Sequence, residues 1–456
     1  MNIRFFFGIL FVVAGLAAIG IPQVAAPSTT PDGILARGKI DRVVVVVMEN
    51  RTFDNVFGGV KSASLGATAP YAGADSIVPP PVAGWMRTAT FRDTSNTNNF
   101  HNVFQCVAGG GFSSAAWQKT SAAPLSCSGW HFGSAVQPFW FLTSEDRRVY
   151  WEIAHRYEMG DAFFAPTSTD SYPAHQYIVA GQARDAEHDT VAAETFYGTS
   201  GNYPTGCADW AASPDPTPSI LVPALGPPAS PWAIPTMRGT EGECYDVDTF
   251  ADLLAKASHG QSAFTWQHYA TDATIPAAFS GEQPFNGFVN IRRWWNHPWA
   301  PSGKNLIEVA RRGAMPNFSW VKPPCTWASD HPGSDDGGPS WVQDVVNAVG
   351  SNGPQWNRTV IFVVWDDWGG LYDHVVPPSP RPWDHMGPGL RTPFLVISPY
   401  VANGAVTHGV ADYGSVMRFV EDLFSLGRLN AMDAHAPDLT GLFDFSQLRP
   451  FVPLAA

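Results

Sequence analysis

The sequence predicts an α/β fold with a mostly parallel central sheet, and three observations predict it. First, Val43–Met48 and Thr359–Trp365 are apolar runs rich in β-branched residues and without alternation. Such runs read as strands buried on both faces. Second, strand-like and helix-like stretches alternate along the chain, with no internal repeat. Third, both runs stop abruptly in polar groups, Glu49-Asn50 and Asp366-Asp367. Open α/β sheets build their sites at the carboxyl ends of strands.

The chain has 456 residues and a formal net charge of −13. That charge argues against nucleic acid as a partner, because a phosphate backbone demands Lys and Arg. It leaves room for a small phosphorylated substrate. Arg4, the apolar run Phe5–Ile21 and the small residues Val24-Ala25-Ala26 have the layout of a signal peptide over residues 1–26. An uncleaved anchor is the other reading of that run. The expectation is a periplasmic or secreted protein, with residues 33–456 forming one domain.

The first strand, Val43–Met48, is followed by turn residues. Residues 60–135, rich in Gly, Ser, Ala, Pro and Asn, read as long surface loops. Arg147–Tyr157 reads as a helix with Val149, Ile153 and Tyr157 on one face. Pro173 suits the first turn of the next helix, which places Ser171 at its start and Gly181 at its stop. Residues 200–243 read as a Pro/Gly-rich insertion. Asp248 is the expected cap of a helix over Thr249–Ser258. Ala263–Trp266 reads as a strand ending near His268, and Phe318–Val321 as another. Ser340–Val349 reads as a helix. Phe394–Ser398 is the expected final strand, and Ser415 the expected cap of a last helix that stops at Gly427.

Of the five cysteines, Cys207 and Cys244 bracket the insertion and are the preferred disulfide; Cys106 with Cys127 is second and Cys325 is left over. There is no Cys-x-x-Cys, which disfavours a thiolate zinc site.

Two adjacent carboxylates at the end of a buried strand are costly without a positive partner. Asp366 and Asp367 therefore read either as metal ligands or as a helix cap with a surface turn. Removing the Asp366 charge is expected to relieve its repulsion with Asp367. Glu49, Asn50, Ser171, Asp366 and Asp367 together form an all-oxygen set. It suits one divalent ion: Ca²⁺, Mg²⁺ or Mn²⁺, with Zn²⁺ also open. A serine at a helix start, beside a cation, is an activated nucleophile whose neighbouring N–H groups suit a phosphate oxygen.

Four stretches also resemble a known family. Glu49-Asn-Arg-Thr-Phe-Asp-Asn-Val-Phe-Gly58 is similar to the opening motif of the phosphoesterase family of bacterial phospholipases C and acid phosphatases. Ser329-Asp-His-Pro-Gly333 and Trp365-Asp-Asp-Trp-Gly-Gly-Leu-Tyr-Asp-His-Val375 resemble its later motifs, and Thr392-Pro-Phe-Leu-Val-Ile-Ser-Pro-Tyr400 its last strand. The resemblance runs over roughly residues 40 to 430, and four motifs in order are specific.

It implies an alkaline phosphatase-like α/β/α sandwich, one metal on the five oxygen ligands and a covalent phosphoserine at Ser171. Ala174 departs from the family, where Asn is common. His331 lies in a recognised motif and is the expected proton donor. His101 stands where the family has an active-site histidine. His268 is a further catalytic candidate. His374 reads as either catalytic or loop-orienting, and His175 as packing. The implied partners are a phosphate ester or phospholipid, with transient contact to a membrane surface. The rival reading is an exported metal- and phosphate-binding protein without turnover.

Overall fold

The computed structural model describes residues 38–58, 140–168, 171–185, 244–260, 264–271, 286–288, 290–295, 304–323, 329–331, 337–381 and 387–455, with isolated residues and short strand pairs between them. Residues 1–35, His101, Cys106 and Cys325 lie outside these residues, as do most of residues 60–135 and 200–243, which the sequence reads as loops.

One eight-stranded sheet organises the chain. Its strands are β1 (Arg42–Met48), β2 (Glu158–Gly160), β3 (Trp266–Thr271), β4 (Ala300–Pro301), β5 (Phe318–Val321), β6 (Thr359–Trp365), β7 (Phe394–Ile397) and β8 (Ala405–Thr407). The spatial order is β4-β3-β5-β1-β6-β7-β2-β8. β4, β3, β5, β1 and β6 are mutually parallel. β7 alone runs against its neighbours, β6 and β2, and β8 is parallel to β2. The sheet is thus mostly parallel, as expected.

The central strands explain themselves. Val43 to Val47 are each at most 5% exposed, and every residue of β6 is buried. A strand covered on both faces gains roughly 1.5–3 kcal/mol per buried Val or Ile side chain, with no polar face to lose.

Helices cover both faces. On one lie α3 (Ser171–Ala180), α4 (Phe250–Gly260) and α7 (Tyr413–Phe424), with α3 touching both others. Phe250 of α4 packs edge-on against Phe318 and Trp320, and Phe419 of α7 against Phe362. On the other face lie α2 (Arg148–Arg156), α5 (Lys304–Arg311) and α6 (Gly338–Gly350). Tyr150 of α2 meets Trp365 edge-on at 5.1 Å. The short α1 (Phe53–Phe57) follows β1, capped by the Thr52 hydroxyl.

Four local expectations are corrected. Phe394–Ile397 is not the final strand, since Ala405–Thr407 and Ala411–Asp412 follow it. α7 is capped by Asp412, with Ser415 at the third position of a reciprocal capping box, and Ser425 adopts the left-handed conformation before Gly427. Asp248 is paired with Arg293, while the Thr249 N–H and hydroxyl donate to Asp252. His268 sits inside β3, which runs on to Thr271.

Cys207 and Cys244 are disulfide-bonded, with Cα atoms 4.6 Å apart and a separation of 37 residues. Closing such a loop stabilises by about 4 kcal/mol in the chain-entropy description. The Cys207→Ala/Cys244→Ala double variant is expected to lose most of that. Urea unfolding of both forms checks it, and an unchanged midpoint would reject the assignment of that stability to the bridge.

Candidate active site

Side chains of a strand alternate between faces. The face under α3, α4 and α7 carries Phe318 and Trp320 of β5, Val43 and Val45 of β1, and Phe362 of β6. Counting on in twos puts Lys322, Glu49 and Asp366 on that same face. Each lies just past the carboxyl end of its strand, and the three strands are adjacent. α3 brings Ser171 and His175, one helical turn apart, over the same spot. All five of these residues are buried.

The backbone bends sharply here. Asn50 has φ +55° and its N–H donates to Asp366 Oδ1 at 2.8 Å. Gly369, at φ +62°, lies so close that a Cβ would stand 2.5 Å from the Asn50 carbonyl oxygen. Only glycine meets both demands. Asn50 Nδ2 donates to Ser171 Oγ at 3.0 Å and to Asp367 Oδ1 at 2.7 Å. Ser171 Oγ donates to Asp367 Oδ2 at 2.7 Å, and the Gly369 N–H to Asp367 Oδ1 at 2.6 Å.

On the other side of this knot, His175 Nε2 lies 3.1 Å from Glu49 Oε1 and 3.4 Å from Asp366 Oδ2. The Lys322 ammonium bonds Glu49 Oε1 and stands 3.3 Å from His175 Nε2.

These residues fit a bound cation. Glu49 Oε2, Asn50 Oδ1 and Asp366 Oδ2 are buried and accept no hydrogen bond from the described residues. Buried acceptors without donors are rare and costly. Ligand atoms of Glu49, His175 and Asp366 lie within 4.8 Å of one another. His175 thus joins a group that the sequence reading confined to oxygen, and Asp367, by contrast, is engaged with Ser171. The signal for His175 was its four-residue spacing from Ser171. A second acidic group, Asp54, Asp373 and His374, is similarly compact. It already holds a cation: Arg391 Nε donates to Asp373 Oδ1 at 2.8 Å, and its NH2 to Asp54 Oδ1 at 3.3 Å. Asp54 accepts from both the backbone and the ring of His374, which locks that loop.

The two neighbouring aspartates are driven apart in pKa. Burial, then the Asp366 charge, pushes Asp367 well above the usual carboxylate range. Burial acts on Asp366 as well, but His175 and Lys322 outweigh it and hold that group below the range. Asp366 is thus the more readily ionised of the two and Asp367 the better proton acceptor.

The histidines divide. His331 is half-buried on the loop after β5, its N–H donating to Ser329 Oγ. That loop borders the cluster, because the Glu49 N–H donates to the Ser329 carbonyl at 2.8 Å. His268 shares with His175 and Lys322 a cavity of about 20 Å³, room for one water. Burial pushes its pKa down to about 3, so its imidazole is neutral at pH 7. His101 lies outside the described residues.

The His331 loop hangs on Asp330, a non-glycine residue at φ +71°. Asp330 Oδ2 accepts from the Tyr150 hydroxyl at 2.6 Å and from Trp365 Nε1 at 3.1 Å. Burial pushes its pKa up to about 7. The folded state then holds a proton that the unfolded chain releases near pH 3.8. The resulting stability is fully present below about pH 4 and is lost as pH rises through about 7. Asp330→Asn is expected to remove this slope, whose full height is roughly 4 kcal/mol. Urea unfolding at about pH 5 and about pH 8 reads it; a variant with the wild-type slope would refute the assignment.

Residues 40–427 match the model of the phosphoesterase family. The chain belongs to the phosphoesterase family. The matched span runs from the start of β1 past the end of α7 and includes every site residue described above. Among relatives of this phosphoesterase, a non-hemolytic phospholipase C of Burkholderia pseudomallei is 23% identical over 98% of this chain, and the chain spans 65% of that protein, less than two thirds of its length. Non-specific phospholipase C1 of Arabidopsis thaliana is 24% identical over 86% of this chain and 68% of its own. Among solved structures, a protein in the alkaline phosphatase superfamily from Vibrio parahaemolyticus is similar at a TM-score of 0.32 and 11% identity, covering 85% of this chain and 67% of that one. That likeness is too loose to carry an argument.

Proposed function

We propose that this phosphoesterase is an exported, metal-dependent hydrolase of phosphate esters, of phospholipase C or acid phosphatase type, working through a phosphoserine at Ser171. The observation that carries it is the Ser171 hydroxyl. It stands at the start of a buried helix, donates to a carboxylate of raised pKa and accepts from Asn50 Nδ2. A binding protein has no use for a hydroxyl so placed.

In this reading Ser171 Oγ attacks phosphorus and its proton passes to Asp367. The bond from phosphorus to the alcohol oxygen breaks, and His331, with His101, supplies the proton that the leaving oxygen takes up. Water then attacks the phosphoserine, giving its proton to the His331 that had lost one, while Asp367 returns its proton to Ser171 Oγ as phosphate or a phosphomonoester leaves. Amide N–H groups at the start of α3 face the phosphoryl oxygens. Glu49, Asn50 and Asp366, with Ser171 and Asp367 as the sequence suggests and His175 as the geometry adds, would hold one divalent ion. Such an ion lowers the pKa of a coordinated hydroxyl and offsets charge on phosphoryl oxygens. The names of the relatives favour a phospholipid diester as substrate, met at a membrane surface.

The test is a substrate panel of p-nitrophenyl phosphate, p-nitrophenylphosphorylcholine and phosphatidylcholine vesicles, with Mg²⁺, Mn²⁺, Ca²⁺ or Zn²⁺. Turnover of the lipid supports a phospholipase C, and turnover of the monoester alone a phosphatase. No turnover of any substrate by metal-loaded protein overturns the hydrolase reading in favour of a binding protein.

A further inference from the structure

The proposed reaction leaves Lys322 without a role, yet it is among the deeply buried charges of the described residues. It follows β5 directly and is 3% exposed. Its ammonium bonds Glu49 Oε1 and lies 3.3 Å from His175 Nε2. Burying a lysine is expensive, and a buried ion pair by itself is weak ground for stability. Glu49 Oε1 is engaged by Lys322 while Glu49 Oε2 accepts no hydrogen bond from the described residues. One carboxylate thus commits one oxygen to a fixed internal cation and keeps the other for a second cation.

We propose that Lys322 is a positioning residue that sets the charge of the metal centre, an inference resting on the metal-dependent reading above. Glu49, Asp366 and, with the ion beside it to favour the ionised form, Asp367 bring three negative charges. A divalent ion brings two positive charges and Lys322 the third, so the loaded centre is neutral while His175 is neutral. Moving the proton from Ser171 to Asp367 leaves that sum unchanged. Without Lys322 the loaded centre keeps one negative charge. It then holds its ion more tightly and repels an anionic phosphate ester. Lys322 therefore trades metal affinity for acceptance of an anionic substrate. It also fixes the Glu49 carboxylate so that Oε2 is the oxygen offered to the ion.

The experiment is calorimetric titration of chelator-stripped protein with Mn²⁺ and with Zn²⁺. Lys322→Met is expected to bind the ion at least about ten-fold more tightly than wild type, since a fixed like charge within a few ångströms of the ion has been removed. Its KM for p-nitrophenyl phosphate is expected to rise, and Lys322→Arg to restore both values toward wild type. Unchanged or weaker ion binding by Lys322→Met, with wild type binding normally, overturns the role of Lys322. Failure of the wild type itself to bind either ion overturns the metal-dependent reading instead. Should the Met variant not fold, the wild type still decides. The chain has six lysines. In ¹⁵N-lysine spectra, loading with Zn²⁺ is expected to shift one protected ammonium resonance, and no shift in any of the six rejects the proposal.

Discussion

Ser171→Ala is expected to fold and to lose at least about three orders of magnitude in turnover of any phosphate ester, because no neighbouring group replaces an activated alkoxide. The fold should survive because Asp367 keeps its hydrogen bonds from Asn50 Nδ2 and the Gly369 N–H. Losing one donor to a buried carboxylate costs about 1–3 kcal/mol, which a chain of this size tolerates. If Ser171 served only the helix end, the same substitution would cost roughly 1 kcal/mol and leave the rate alone. Acid-quenching the wild type with a slow substrate and mapping the phosphopeptide distinguishes the two. Thr167 and Ser168 are buried hydroxyls a few residues upstream, and Thr169 follows them. Phosphate on any of these would refute the placement. A chiral-phosphate product of inverted configuration would refute the covalent route, since two displacements restore the configuration.

Asp366→Asn is expected to lose the metal and, with it, detectable turnover. It removes the anion to which the Asn50 N–H and the His175 ring are both directed. From the sequence alone this change reads as a relief, because two carboxylates are adjacent. The structure sets a loss against that relief. Asp366 is held ionised by His175 and Lys322 despite its burial. A carboxylate with a lowered folded pKa contributes stability above its unfolded pKa and loses it as pH falls. At neutral pH the Asn variant lacks that contribution and leaves Lys322 and His175 with less compensating charge. Chelator-stripped Asp366→Asn should therefore melt below chelator-stripped wild type. Elemental analysis reads the metal, and a fully loaded, fully active variant would sink the assignment of Asp366.

What was legible in the sequence follows from physics. β1 and β6 carry one unmistakable signal each, an apolar run without alternation, and their limits lie within a residue of the expected ones. The start of α3 was readable from Pro173, and the Cys207–Cys244 pair from the loop it closes. The reversed direction of β7 was not legible, since four apolar residues carry no sign of strand direction. Ser415 and Asp412 are both good caps three residues apart, and only the backbone tells them apart. His175 reads as packing because every residue of α3 is buried, so no exposed face sets it off. Lys322 is silent in the sequence although alternation from Phe318 assigns its side, because a lysine after a short strand usually points into water.

The placement of Lys322, Glu49 and Asp366 has a further consequence. Their common location depends on parity, the odd or even count of residues from the middle of each strand to its last member. Substituting one strand interior residue for another apolar one leaves parity intact. Deleting or adding a single residue in β1, β5 or β6 inverts it, and turns one charged group toward α2 and α6, away from Ser171. The centre is therefore robust to drift in the identity of its strands and brittle to any odd change in their length. A one-residue deletion among Val43–Val47 would keep a valine-rich strand and still dismantle the site.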